Sequence, residues 1–322
     1  DNIESIDVES YNLAAELDDP NPKNMLAAKF SIPFAVATTL VNKTTTVESF
    51  LGHALSNPEV LELAKKVTVI EKKITRDHTE RMINFFGGNV DVTSEGEGRR
   101  ITLHPTKLIS KDHYKVAGDF SSASFLIVAG LIAKNSEILI KNVGLNKTRS
   151  GLLSVLKSMG ADIQILNQKI ECNEDVGDLL IKSSALHGVE ISGAIIPNII
   201  DEIPILSIAA SCAEGKTIIK DAKELRVKES DRLEAIASGL KALNVPHYLY
   251  EDGIEISGVK EIFPSDEPID SFGDHRIAMS FLISSLISTK DIKVLNCENI
   301  YTSFPSFFDE MKKIGLRMER YG

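Results

Sequence analysis

The sequence has no tryptophan and only three cysteines among its 322 residues. Cys172, Cys212 and Cys297 are widely spaced and odd in number, a pattern that fits neither a disulfide framework nor a zinc site. Long apolar runs are missing too. The longest, Phe125 to Ala133, is interrupted by Gly130 and falls far short of the roughly 20 residues that a bilayer span needs. No basic segment leading into an apolar stretch marks an export leader. The expectation is a soluble, cytoplasmic protein without membrane contact. Positive charge is in short supply as well, with a formal net charge of −10. That excludes a general nucleic-acid partner, because counterion release needs a clustered excess of Lys and Arg. Small anionic ligands stay open, since they answer to local clusters. Arginine is absent before Arg76, and residues 1–70 hold 5 Lys against 10 Asp and Glu. The chain opens Asp1-Asn2-Ile3 in what reads as mid-domain sequence, so its length is not expected to mark one intact protein. What is present is ordinary globular material. The residues are 43% apolar and 25% charged, enough for packed cores throughout.

Repeats emerge from residue 117 onward. The first opens Gly118-Asp119, continues as an apolar helix Ser121–Ala133, a strand Glu137–Val143 and a loop with Lys147 and Arg149, and closes with a helix Gly151–Met159 and a strand Asp162–Leu166. The second opens Asp201-Glu202, with helix Ile203–Ala213, strand Lys216–Lys220, a charged loop Glu224–Glu229, helix Ser230–Leu243 and a hairpin Tyr248–Ile256 turning at Asp252-Gly253. The third opens Gly273-Asp274, with helix Ile277–Ile287, strand Ile292–Leu295 and helix Phe304–Ile314. Such a series implies an α/β domain built from repeats, one sheet face packed on helices. The plain reading of Asp119, Asp201 and Asp274 is a helix N-cap. Only half a unit precedes these three, an amphipathic helix from Arg76 through Phe86, then strands Asn89–Thr93 and Arg100–Leu103. The repeat logic breaks near residue 70.

Three constellations could carry chemistry. Arg226-Val227-Lys228-Glu229-Ser230-Asp231-Arg232 places Lys228 at the mouth of a helix expected to begin near Glu229, with Arg232 one turn inside. Two cations at a helix N-terminus can clamp a phosphate or carboxylate. A solvated, salt-bridged helix start reads equally well. Asn198-Ile199-Ile200-Asp201-Glu202-Ile203-Pro204 sets two adjacent carboxylates between apolar runs, where desolvation can raise a pKa toward general-base duty. Gly273-Asp274-His275-Arg276 puts an imidazole and a guanidinium at the same point in the third repeat. Symmetric repeats bring such equivalent positions to one end of a domain. Arg76 with His78 adds a cationic pair at the clamp-loop equivalent of the preceding half-unit. There is no Walker loop, dinucleotide fingerprint or metal-spaced His/Cys cluster.

Five ordered motifs then carry a resemblance: Thr75-Arg76-Asp77-His78-Thr79-Glu80, Gly118-Asp119-Phe120-Ser121-Ser122-Ala123, Ile200-Asp201-Glu202-Ile203-Pro204, Leu225-Arg226-Val227-Lys228-Glu229-Ser230-Asp231-Arg232 and Gly273-Asp274-His275-Arg276. Over residues 71–318 the chain resembles the C-terminal part of the 5-enolpyruvylshikimate-3-phosphate synthase (3-phosphoshikimate 1-carboxyvinyltransferase) family. The enolpyruvyl transferase acting on UDP-N-acetylglucosamine shares the fold, but the Arg-Val-Lys-Glu-Ser-Asp-Arg run favours the shikimate enzyme. The resemblance implies an α/β (α+β) fold of the enolpyruvyl transferase type, an inside-out α/β barrel of repeats, with one complete domain and a stub of the other. It implies transfer of the enolpyruvyl group of phosphoenolpyruvate to the 5-hydroxyl of shikimate 3-phosphate, by addition and then loss of phosphate, on the route to aromatic amino acids. Carried over by motif, Asp201 would accept the hydroxyl proton and Glu229 would protonate the phosphoenolpyruvate methylene. Lys228 would contact the shikimate ligand, Arg232, His275 and Arg276 would surround phosphoenolpyruvate, and Arg76 would reach the 3-phosphate. No metal or organic cofactor is implied. The implied partners are the two small substrates and a missing N-terminal half.

The departures are informative. The family's first half supplies a Lys-Ser-…-Arg site, a Gly-rich phosphoenolpyruvate loop, a further Arg and a Ser-Ala-Gln segment for the 3-phosphate, and none is found here. A lysine that precedes Thr-Phe-Pro in some members is replaced in Tyr301-Thr302-Ser303-Phe304-Pro305. Residues 1–67 look different again. Asp19-Pro20-Asn21-Pro22-Lys23, Ala28-Lys29-Phe30-Ser31-Ile32-Pro33-Phe34, Asn57-Pro58-Glu59-Val60 and Lys65-Lys66-Val67 resemble the C-terminal domain of the MmgE/PrpD family, which includes 2-methylcitrate dehydratase and cis-aconitate decarboxylase. The chain therefore reads as a composite joined near residues 67–72, an MmgE/PrpD-like fragment (1–70), a remnant of the N-terminal synthase domain (71–116) and a C-terminal domain of three repeats (117–322). The competing readings are a non-catalytic half-site fragment and an MmgE/PrpD-type lyase fragment.

Overall fold

In a computed structural model of the chain, the described residues are 3–10, 17–44, 47–51, 55–71, 76–95, 98–104 and 106–320. The chain divides into two compact units, Asp1–Lys111 and Asp112–Gly322.

In the first unit, strand β1 (Ile6–Ser10) lies parallel to β2 (Val67–Glu71), with Ile6 opposite Val67. Between them run helices α1 (Met25–Lys29), α2 (Ile32–Asn42) and α3 (Pro58–Ala64). Each start is written in the sequence. Ser31 accepts the Phe34 N–H at 3.0 Å, Asn57 accepts that of Glu59 at 3.0 Å, and a proline occupies the first turn of both α2 and α3. Ala28, Phe34, Ala37, Val60 and Ala64 form this unit's small core. Helix α4 (His78–Phe85) and the hairpin β3 (Asn89–Glu95) and β4 (Gly98–His104) follow. The expected helix from Arg76 starts two residues later, because Asp77 occupies the cap position and pairs with Arg81 at 3.0 Å. Thr75 lies outside the described residues, as do 72–75 at the end of the expected junction. The single division at Lys111 puts the segments 1–70 and 71–111 in one unit.

The second unit holds the three repeats. Their opening helices α5 (Phe120–Ile132), α8 (Ile203–Ser211) and α10 (His275–Ile283) pack against one another at its centre. Eleven of thirteen residues of α5 and all nine of α8 are buried, as helices apolar on every side must be. Around them lie a three-stranded antiparallel sheet ordered β5 (Glu137–Gly144), β7 (Glu174–Lys182), β6 (Asp162–Glu171), and a four-stranded sheet ordered β10 (His247–Leu249), β11 (Ile254–Ser257), β9 (Lys216–Ile219), β8 (Glu190–Ile191). The parallel pair β12 (Ile269–Asp270) and β13 (Val294–Leu295) belongs to the third repeat. The remaining helices are α6 (Gly151–Ser158), α7 (Ile196–Ile199), α9 (Arg232–Ala242), α11 (Ile300–Ser303) and α12 (Phe307–Lys313). None of the described sheets closes into a barrel. At the head of the first repeat, Gly118 is required by close approach, since a Cβ there would meet the Asn142 carbonyl oxygen at 2.8 Å.

Two expected helices change. The helix expected over Phe304–Ile314 shortens to α12, beginning at Phe307, and α11 ends at Ser303 ahead of Pro305, which disfavours helical geometry in the residue before it. The helix expected near Glu229 begins instead at Arg232, because Asp231 caps it by accepting the Glu234 N–H at 3.1 Å. No single described helix is long and apolar enough to cross a membrane.

Candidate functional site

The N-termini of α5, α8 and α10 meet, and the three repeats solve their caps differently. Asp119 accepts the Ser122 N–H at 2.7 Å, and Asp274 accepts that of Arg276 at 2.8 Å. Asp201 is not a cap. The cap position of α8 belongs to Glu202, whose side chain makes no cap bond. The structural counterpart of Asp119 and Asp274 is thus one residue later than the sequence register suggested. This frees Asp201 to face the charged side chains of the other repeats.

Three segments surround Asp201. From the loop after β5, Arg149 donates Nη1–H to Asp201 Oδ2 at 3.1 Å. From α10, Arg276 donates to the Asp201 carbonyl oxygen at 3.0 Å and lies 3.6 Å from Glu202 Oε1. From α9, Arg232 brings Nη1 to 3.5 Å from Asp201 Oδ1. Arg232 is only 1% exposed. Its Nε donates to Asp274 Oδ2 at 2.7 Å and its Nη2 to Glu229 Oε2 at 2.5 Å, while the buried Nη1 makes no hydrogen bond. Burying a guanidinium this deeply is tolerable because Asp274, itself 0% exposed, compensates the charge. The unmatched Nη1 donor is the feature a ligand anion would satisfy.

Of the adjacent carboxylates, the buried one is Glu202, at 1% exposure. Burial pushes its carboxyl above the ordinary value, against the lowering effects of the Ser121 hydrogen bond and of Arg276 and Arg149. Ser121 donates to Glu202 Oε1 at 2.5 Å and accepts from Arg149. Burial, then the neighbouring Arg276 cation, pushes His275 below its ordinary value, favouring the neutral imidazole. The turn into α10 is tight, with Phe272 at φ +54° and Gly273 at φ +72°, the left-handed region in which Gly is at ease and Phe is strained.

The structure therefore gathers Asp201, Glu229, Arg232 and Arg276, with His275 on the same helix turn as Arg276. Lys228 follows a 3-10 turn, Lys223–Val227, and its ammonium is paired with Glu224 rather than set at a helix mouth. Arg76 belongs to the first unit, where its side chain is exposed. Sequence reasoning left out Arg149, Ser121 and Asp274 as site residues. Arg149 carried a legible signal, a lone guanidinium in a short loop between a strand and a helix, and so did Asp274 as the partner-in-waiting of an interior arginine. Among the described residues no group of three or more His, Cys, Asp or Glu is arranged to hold a metal. Three guanidiniums around one carboxylate suit anionic ligands bearing a transferable proton.

A repeat-built α/β unit whose helix starts converge on such a cluster defines the enolpyruvyl transferase type of protein. Solved structures agree. An EPSP synthase from Acinetobacter baumannii superposes with a TM-score of 0.71 at 38% identity, over 82% of this chain and 62% of that one. The enolpyruvyl transferase NikO from Streptomyces tendae, at 16% identity and TM-score 0.58, shares the fold. The family model for EPSP synthase (3-phosphoshikimate 1-carboxyvinyltransferase) matches residues 53–311, and the chain belongs to that family. A relative named 3-phosphoshikimate 1-carboxyvinyltransferase from Petrotoga mobilis is 52% identical over 246 residues, covering 76% of this chain and 56% of its own length. One of the same name from Geobacter metallireducens is 43% identical, covering 77% and 57%. The chain thus spans somewhat over half the length of the curated relatives it matches. A second family model, the MmgE/PrpD C-terminal domain, matches residues 1–102 and overlaps the first across residues 53–102.

Proposed function

We propose that this chain carries one half of the site that transfers the enolpyruvyl group of phosphoenolpyruvate to the 5-hydroxyl of shikimate 3-phosphate. The observation that carries this reading is the buried, unsatisfied Arg232 Nη1 facing Asp201, flanked by Arg276 and Arg149. Asp201 takes the 5-hydroxyl proton as that oxygen bonds to C2 of phosphoenolpyruvate. Glu229 gives a proton to C3, forming the tetrahedral adduct, and removal of a C3 proton with loss of phosphate leaves the enol ether product. Phosphoenolpyruvate lies against Arg232, Arg276 and His275, with Lys228 toward the shikimate ligand. An anion that binds Arg232 competes with Glu229 for the guanidinium.

The matched segment is somewhat over half the length of the relatives, and the segments that complete the family's site have no counterpart in this sequence. Each missing charge-stabilising group costs about 10²–10³ in rate. Even with strong non-additivity, the 322-residue chain assayed alone should release phosphate at least about 10⁴-fold more slowly than an intact relative. A phosphate-release assay with both substrates tests this, alone and with a separately expressed N-terminal half of a relative. Turnover restored by the added half supports the half-site reading. Continued inactivity of a folded pair overturns it in favour of a non-catalytic fragment. The free thiols Cys172, Cys212 and Cys297 support a cytoplasmic setting. The two family matches, overlapping over residues 53–102, support a composite; the junction proposed near residues 67–72 is tested by sequencing the reading frame across residues 60–80.

A further inference from the structure

Asp201 has a dedicated neighbour outside every motif quoted above. The loop Asn146–Ser150 is held rigidly: the buried Asn146 accepts the Thr148 N–H at 3.0 Å and the Thr148 hydroxyl at 2.8 Å through its side chain, and the Arg149 N–H at 2.9 Å through its carbonyl. The guanidinium of Arg149 then forks. Nη1 donates to Asp201 Oδ2 at 3.1 Å and Nη2 donates to Ser121 Oγ. That hydroxyl passes its own proton donation to Glu202 Oε1 at 2.5 Å. Asp201, Arg149, Ser121 and Glu202 thus form one closed path across two repeats, with Arg149 and Asp201 themselves mostly shielded from water.

We infer that Arg149 is a positioning residue for Asp201, aimed by Ser121, which the buried Glu202 carboxyl holds in turn. Arg149 holds Oδ2 at hydrogen-bond distance, while Oδ1 lies 3.5 Å from Arg232 Nη1. A planar fork suits this task, because it fixes two acceptors at once, where an ammonium fixes none in direction. The groups facing Asp201 from the packed elements are Arg149 from the loop after β5, Arg232 from α9, Arg276 from α10 and Glu202 beside it. Arg232 donates to Asp274 and Glu229 and Arg276 to the Asp201 carbonyl, whereas Arg149 donates directly to the Asp201 carboxylate. The inference rests on the reading of Asp201 as the group that takes the substrate proton. Its deciding test, a titration, uses no substrate.

The experiment is a pH titration of the full chain carrying 13C-carboxyl aspartate, with the Asp201 resonance assigned by its loss in Asp201→Asn. Removing a cation within hydrogen-bond distance of a mostly shielded carboxylate in Arg149→Gln should move the Asp201 midpoint up by about one pH unit. Arg149→Lys should restore most of the midpoint while leaving the resonance broadened, since charge returns without the fork. Ser121→Ala serves where Arg149→Gln unfolds, and should move the midpoint in the same direction by a smaller step. A folded Arg149→Gln or Ser121→Ala chain with an unmoved Asp201 midpoint overturns the inference. In the complemented enzyme, Arg149→Gln should lower kcat with little change in KM. Absence of turnover in the unmodified complemented chain would count against enolpyruvyl transfer and leave the titration to judge Arg149.

Discussion

The two units of this chain contain the same kinds of segment and bury them to different depths. In residues 112–322 the helices Phe120–Ile132 and Ile203–Ser211 are enclosed on all sides by other repeats. In residues 1–111 the helix His78–Phe85 buries none of its residues, and its hairpin leaves Val92 and Leu103 exposed. The charged residues follow. Arg232 is interior because three helix starts meet around it, whereas Arg76, on an equally suggestive motif, stays on the surface. A motif becomes a site only where neighbouring repeats supply the walls.

The strongest way to break this contrast is to strip the interior arginine of its partner. Asp274→Ala leaves Arg232 a buried, poorly compensated cation and should cost about 3–5 kcal/mol in denaturant unfolding. A cost near that of an exposed ion pair would show that the cluster is wet. Packing comes next. Leu156→Ala in the second unit should cost about 2–5 kcal/mol. Leu103→Ala in the exposed hairpin should stay within about 0.5 kcal/mol, and similar losses at both positions would erase the difference between the units.

The third test is pH. Burial pushes the folded-state Glu202 carboxyl above its ordinary 4.5, so the folded chain holds that proton more tightly than the unfolded chain does. The stabilisation is fully present below pH 4.5 and is lost as pH rises through the folded value. Glu202→Gln should flatten the stability–pH curve just above pH 4.5, and an unchanged slope there would place Glu202 in contact with water. Smallest of all, Lys290→Ala removes an exposed pair with Asp266 and should change stability by less than about 0.5 kcal/mol.

Much of this was legible in the sequence. Repeat order and helix placement follow from apolar periodicity and turn residues, and α5, α8 and the hairpin β10–β11 fall within a few residues of expectation. Boundaries slipped where a short-range hydrogen bond outbid the pattern, as when Asp231 took the cap of α9 and moved its start past Glu229. In the site, Asp201, Arg232 and Arg276 stood out by type and position. Arg149 offered only the weaker signal of a guanidinium in a short loop, because its acceptor lies 52 residues away.

By itself the sequence determined the family, the order of the repeats and the set of charged residues available to one end of the second unit. Tertiary structure alone decided that Glu202 rather than Asp201 is the buried carboxylate, that Lys228 turns to Glu224, and that Arg149 and Ser121 close a path to Asp201. The reason is physical. Periodicity encodes which face of a helix is apolar, but the dielectric and the partner that a charged group meets are set by chain 42 to 81 residues away, and that proximity exists only once the three helices have packed.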